Sequence, residues 1–224
     1  MYNCGVIELK RGAIFDMDGT LFDTEKLYRR AWIETADTFG VERKPEMAAV
    51  MSGSSVKNIL MKIPQFFPEL DANEYFLRVV KRVKKEIEEK LEIKAGVVEI
   101  LNFFQENKIP MAIASSSAGV DIEKNIKRAG IDKFFNVIVG GDQISNGKPA
   151  PDIFQLAAKN LNLPPQDCYV FEDSANGIRA AFAANCAPIM VVDQVPPLPD
   201  VRKICAAVFN SMNDALDAIK HGDI

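Results

Sequence analysis

Histidine is almost missing from this 224-residue chain: the only one is His221, in a polar tail near the C-terminus. Chemistry built on a histidine general base, a phosphohistidine or a histidine-held metal is therefore disfavoured. Carboxylates, hydroxyls and lysines must carry any catalysis. Cysteine is sparse too. Cys4, Cys168, Cys186 and Cys205 lie far apart, with no close pair to begin a zinc knuckle or redox motif, so reduced thiols are expected. Cys168 falls in an apolar run, where free cysteine acts as a small hydrophobe. Charge of one sign is never concentrated: the net charge is −4, with no like-charged block long enough for a nucleic-acid arm. No apolar stretch approaches the roughly 20 residues that span a bilayer, and Met1–Gly12 has no signal-peptide core. These absences predict a cytoplasmic protein, monomeric, that engages a small soluble partner rather than nucleic acid or membrane.

Hydrophobic residues make up 48% and charged residues 26%, the composition of an ordinary globular protein. Its length suits one large domain, or a core carrying a smaller inserted one. Short apolar runs recur at Gly12–Phe15, Pro110–Ala114, Asn136–Val139, Asp167–Phe171, Pro188–Val192 and Ala206–Phe209. Continuous runs of this length suit strands buried on both faces. Helical patterns separate them near 97–107, 119–129, 151–161, 174–185 and 211–220. Strands alternating with helices predict an α/β fold with a doubly wound parallel sheet, whose ligands sit beyond the carboxyl ends of the strands.

Residues 25 to 93 interrupt that alternation with a helical stretch that has no convincing strand. Its clearest helix runs from about Ala72 to Leu91, with Tyr75, Phe76, Val79, Val80, Val83, Ile87 and Leu91 on one side. Asp71 and Glu74 resemble a capping box at its start. The charged run Lys81–Lys90 reads as the solvated face of that helix. The expected division is a core of residues 1–24 and 93–224 with an all-helical unit of residues 25–92 inserted after the first strand.

Four strand ends carry groups suited to chemistry. The first strand runs into Asp16-Met17-Asp18-Gly19-Thr20: two carboxylates one residue apart, then a glycine that permits a tight turn. Carboxylates buried there are costly unless paired, hydrogen-bonded or metal-bound, and hard oxygen donors of this kind suit Mg²⁺. The second ends in Ser115-Ser116-Ser117, hydroxyls that either hold an anion or cap the next helix. Lys148 is framed by Gly147 and Pro149, where helix is disfavoured. A fourth run ends in Glu172-Asp173-Ser174, a second carboxylate pair followed by a good N-cap. Two acidic strand ends can chelate one cation while a hydroxyl and a lysine offset the charge of a phosphoryl group, which is most of what phosphoryl transfer needs.

This ordered set, spanning nearly the whole chain, resembles the haloacid dehalogenase-like superfamily with its Rossmann-like core. Within it the chain looks like the branch of beta-phosphoglucomutase and small sugar-phosphate phosphatases, where a helical cap follows the first motif. The resemblance implies Asp16 as nucleophile, forming an aspartyl-phosphate, and Asp18 as general acid. It implies Mg²⁺ bound by Asp16, the Asp18 backbone carbonyl and Asp173, with Glu172 supporting more indirectly. Ser115 and Lys148, with Ser116 beside them, would bind the phosphoryl group of a small phosphorylated metabolite. Met51–Lys57 resembles the substrate-specificity loop of such caps, making Ser54 and Ser55, together with Glu25 and Tyr28, candidate substrate contacts. Asp23–Lys26 and Glu92–Gly96 would be the hinges.

The chain departs from the mutase pattern at two places. Tyr28 falls where the mutase has a cap histidine, and Val56 where it has a cap arginine. Neither can supply the missing proton-transferring or positive group. A phosphatase is therefore expected ahead of a mutase, with a catalytically silent phosphate-binding protein as a third reading. A dehalogenase would not need Asp18 or the second acidic pair. A phosphonatase would need a cap lysine, and nothing singles out Lys57 or Lys62.

Overall fold

The computed structural model describes residues 9–51, 54, 56–193 and 196–224. From the N-terminus, β1 (Gly12–Phe15) leads into α1 (Glu25–Glu34), α2 (Glu46–Met51), α3 (Val56–Phe66) and α4 (Ala72–Glu89). After α5 (Val97–Glu106), strands and helices alternate: β2 (Met111–Ser115), α6 (Gly119–Ala129), β3 (Val137–Gly140), α7 (Asp152–Asn160) and β4 (Cys168–Glu172). Then come α8 (Ala175–Ala183), β5 (Ala187–Val191), α9 (Pro199–Arg202), β6 (Ala207–Phe209) and α10 (Met212–His221). Every apolar run expected as a strand is one, displaced by at most a residue or two.

The strands form one parallel sheet in the order β3-β2-β1-β4-β5-β6. β1 is central: Ala13 is in register with Met111 on one side and Tyr169 on the other. Successive residues of β1 feed opposite layers. Ala13 and Phe15 pack with α5 and α10, while Ile14 packs with α7 and α8. Phe15 stacks on Phe171 of β4 at 4.7 Å between ring centroids, which locks the two strands that carry the acidic ends. The chain winds outward in both directions from β1, so the crevice between β1, β2 and β4 lies where such sheets bind ligands.

The helices between 25 and 89 have a core of their own, centred on Trp32, Met47, Met51, Ile63, Tyr75, Val79 and Val83. Tyr75 is fully buried and donates its hydroxyl to the Trp32 carbonyl at 2.7 Å, satisfying its one polar atom. Asp71 caps α4 as expected, accepting from the backbone N–H of Asn73 and Glu74. The reciprocal half of the capping box is replaced: the Glu74 carboxylate takes Arg78 one turn on. The helix also stops earlier than its apolar spacing predicts, because Lys90 is extended. The Lys81–Lys90 run is more than a solvated face. Lys84 reaches Asp121 of α6 at 2.8 Å, Glu88 receives Lys124 at 2.6 Å, and Arg128 donates to the Ile87 carbonyl at 3.2 Å. These links fasten the insertion to the core, the two exposed ion pairs each worth no more than about 1 kcal/mol.

The chain leaves the core and returns to it side by side. Asp23 N–H donates to the Glu92 carbonyl and Lys94 N–H to the Leu21 carbonyl, both at 3.0 Å. Lys26 bridges Asp23 and Glu92, each at 2.6 Å.

Candidate active site

Asp16 is the first residue beyond β1, buried, with its backbone N–H held by the Phe171 carbonyl at 3.0 Å. The buried Lys148 ammonium donates to Asp16 Oδ1 at 2.5 Å, to Glu172 Oε1 at 2.7 Å and to the Ala114 carbonyl at 3.3 Å. One cation therefore joins the ends of β1, β2 and β4. Burial works against that ammonium, but Asp16 and Glu172 outweigh it and hold it protonated above its ordinary value. For Asp16, burial raises the carboxyl well above the usual range; Lys148 opposes the rise, and Glu172 and Asp18 reinforce it. Asp173 is raised by burial and then by Glu172 and Asp16.

Asp18 accepts from Thr24 Oγ1 at 2.8 Å and from Ser117 Oγ at 3.1 Å. Burial raises its carboxyl, and these two hydrogen bonds hold part of that rise back. Thr24 precedes α1 but its hydroxyl does not cap the helix; it is committed to Asp18 instead. Gly19 has φ +82°, and a side chain there would collide with the Asp173 carboxylate. Thr20 donates to Asp173 Oδ1 at 3.3 Å, while Lys94 anchors the turn by donating to the Gly19 carbonyl at 2.7 Å.

Ser115 is buried at the end of β2, its hydroxyl accepting from Ser117 N–H at 3.1 Å, and Ser116 stands exposed on the rim. Glu172 Oε2 accepts from Ser174 N–H at 2.8 Å, and Ser174 caps α8 as its sequence position predicts. A methyl group at Gly177 would overlap the Glu172 carboxylate. Gly177→Ala should push Glu172 off Lys148, cost about 1–3 kcal/mol and lower Tm by roughly 4–10 °C. Thermal melts that match those of the unchanged chain would refute this.

These groups floor a cavity of about 270 Å³ between the core and the helical insertion. The insertion contributes Trp32, Met51, Phe76 and Val80 to its walls, along with Glu25 and Tyr28. Burial, then Asp18, Glu25 and Asp121, push the Tyr28 phenol far above its ordinary value, so it stays neutral. Ser54 also lines the cavity, with its hydroxyl taken by Lys62 at 2.8 Å. Ser55 lies outside the described residues, as do Cys4, Ser52 and Gly53. The structure therefore brings Asp16, Asp18, Ser115, Ser116, Lys148, Glu172, Asp173, Glu25, Tyr28 and Ser54 to one cleft. Sequence reasoning missed Thr24, Asn125 and Arg29, and it read Ser117 as an anion holder or helix cap where its hydroxyl goes to Asp18. Arg29 is a cavity-lining guanidinium with no ion-pair partner among the described residues. Tyr28 and Val56, which stand where the mutase has its cap histidine and arginine, both line the same cavity.

The donors are all oxygen. Four carboxylates, Asp16, Asp18, Glu172 and Asp173, face one lysine, so the cluster has an excess of negative charge that a small, hard divalent cation would balance. Among the described residues no three acidic, histidine or cysteine side chains form a ready-made cage. The set fits an ion that takes two carboxylates and a carbonyl and keeps water or substrate oxygens for the rest.

The sheet is doubly wound, a carboxylate–lysine cluster stands at its switch point, and a helical insertion covers that cluster. The profile of the haloacid dehalogenase-like hydrolases matches residues 13–191, and the chain belongs to that family. It is 36% identical over 173 residues to the phosphorylated carbohydrates phosphatase of Thermotoga maritima, covering 77% of this chain and 80% of that one. It is 31% identical over 175 residues to a fructose-1-phosphate phosphatase of Escherichia coli, covering 78% and 92%. The structure of a beta-phosphoglucomutase from Clostridium difficile superimposes with a TM-score of 0.81 at 25% identity, covering 96% of this chain and 97% of that one.

Proposed function

We propose that this chain is a Mg²⁺-dependent phosphatase of small phosphomonoesters, sugar phosphates foremost, acting through an aspartyl-phosphate on Asp16. The observation that carries the reading is the pairing of two differently held carboxylates. Asp16 is tied to Lys148, and Asp18 is tied to neutral hydroxyls. An aspartate beside a fixed ammonium is suited to attack phosphorus, since Lys148 offsets the charge of the incoming phosphoryl group. Asp18, its carboxyl raised by burial, is suited to hold a proton for the leaving oxygen and to take one later from water. Ser115 would hold a phosphoryl oxygen, with Ser116 at the rim. Mg²⁺, held by Asp16, the Asp18 carbonyl and Asp173 with Glu172 behind them, would supply electrostatic stabilisation of the transferring group. The helical insertion would act as a cap, admitting substrate and then excluding water. Glu25, Tyr28, Ser54 and Ser55 are its candidate substrate contacts. The two phosphatase relatives support the substrate class.

A phosphosugar mutase is the second reading. Arg29 favours it, since a guanidinium lining the cavity, with no ion-pair partner among the described residues, could retain a bisphosphorylated sugar. The deciding assay is phosphate release from sugar phosphates, nucleotides and para-nitrophenyl phosphate, with Mg²⁺ or with EDTA. Release from sugar phosphates that EDTA abolishes is the expected result. Conversion of beta-glucose 1-phosphate to glucose 6-phosphate without release would replace the phosphatase by the mutase.

A further inference from the structure

Helix α6 turns four residues toward the cavity at helical spacing: Asp121, Lys124, Asn125 and Arg128. Three of them are spoken for by α4, Asp121 by Lys84, Lys124 by Glu88, and Arg128 by the Ile87 carbonyl. Asn125 is different. It is only 8% exposed, and among the described residues nothing hydrogen-bonds its carboxamide. That group offers two donors and two acceptor lone pairs. Its amide atoms are not sealed off but open onto the cavity, where a ligand can meet them.

Resting on the phosphatase reading above, we propose that Asn125 is a specificity-determining residue that reads a neutral hydroxyl or carbonyl on the leaving group of the substrate. Asn125 and Asp16 line the same cavity, so a molecule whose phosphate sits at Asp16 can extend toward α6. Of the charges flanking Asn125, Asp121 and Lys124 are matched by Lys84 and Glu88, and the Arg128 guanidinium is engaged by the Ile87 carbonyl. What remains there is an amide that can both donate and accept, beside the apolar Val80 and Ile87. A sugar hydroxyl fits that combination. An analogue without the hydroxyl displaces the solvent that the amide faces without replacing its hydrogen bond, and a site built for such a bond discriminates against the analogue.

The test is Asn125→Leu, which keeps the size of the side chain and removes its hydrogen-bonding groups, with Asn125→Ala as the second variant. Both are assayed on glucose 6-phosphate, fructose 1-phosphate, ribose 5-phosphate, the 2-deoxy forms of the two aldose phosphates, and para-nitrophenyl phosphate. The expected result is a fall in kcat/KM of about 10–100-fold on the preferred hydroxylated substrate, mostly in KM. Para-nitrophenyl phosphate turnover should stay within about twofold, Tm should not fall, and any preference over the deoxy form should narrow. Equal losses on all substrates, or losses that follow a lowered Tm, would make Asn125 a packing residue and overturn the proposal. Unchanged kcat/KM on every hydroxylated substrate would overturn it as well. Failure of the underlying reading looks different: the unaltered chain would then release no phosphate from anything, para-nitrophenyl phosphate included.

Discussion

Asp16→Asn is expected to cut phosphate release by on the order of 10⁴-fold or more, the scale on which enzymes lose a covalent nucleophile. The fold should survive. The amide has the shape of the carboxyl, and Lys148 keeps Glu172 at 2.7 Å as a counter-charge. It also removes one negative charge from a cluster in which burial and the neighbouring carboxylates already disfavour ionisation of Asp16. Tm should therefore move by only a few degrees, in either direction. Incubation with acetyl phosphate should label the unaltered chain on Asp16 and leave the variant unlabelled by mass spectrometry. Substantial residual turnover in the variant would remove Asp16 from the nucleophile's role. Labelling of neither form would favour a silent, phosphate-binding scaffold.

Lys148→Met is the second large effect, and it acts first on stability. The lysine is 3% exposed and is the shared partner of Asp16 and Glu172. Methionine fills the space, but it leaves two buried carboxylates facing each other with no counter-ion. Breaking a buried pair in this way costs about 3–5 kcal/mol, equivalent to roughly 10 °C in Tm for a chain of this length. Mg²⁺ should restore part of the loss, since a divalent ion replaces some of the missing positive charge. Activity should stay low even with Mg²⁺, because no group remains to balance the phosphoryl charge beside Asp16. A variant that melts within about 2 °C of the unaltered chain would show that Lys148 does not hold the cluster together.

Much of this was legible in the residues themselves. A strand buried on both faces must be apolar throughout, so β1, β2 and β4 announce themselves, and the polar residues that end them are the ones the sheet places side by side. Asp16, Ser115 and Glu172 converge because their strands are neighbours, and strand ends are what the sequence marks. What stayed hidden depends on partners far away in the chain. Thr24 drew no notice in the sequence, yet its hydroxyl goes to Asp18. The pattern near 119–129 predicts a helix but not which residues meet the cleft; the arrival of α4 makes Asp121, Lys124, Asn125 and Arg128 part of its wall. Lys84 and Glu88 were expected to point at water. Glu74 shows the limit at short range, since two nearby partners compete for it and Arg78 prevails.

The paired crossings between insertion and core have a consequence for how this chain could be re-engineered. The main chain departs at Asp23 and comes back at Glu92 within a hydrogen bond of itself, so the sheet sees the whole helical unit as little more than a wide hairpin. Whatever is spliced between those two points should change the cover over the carboxylates while leaving in place the strands that carry them. A graft of another helical unit at the same junction should therefore retain the chemistry and exchange the clientele.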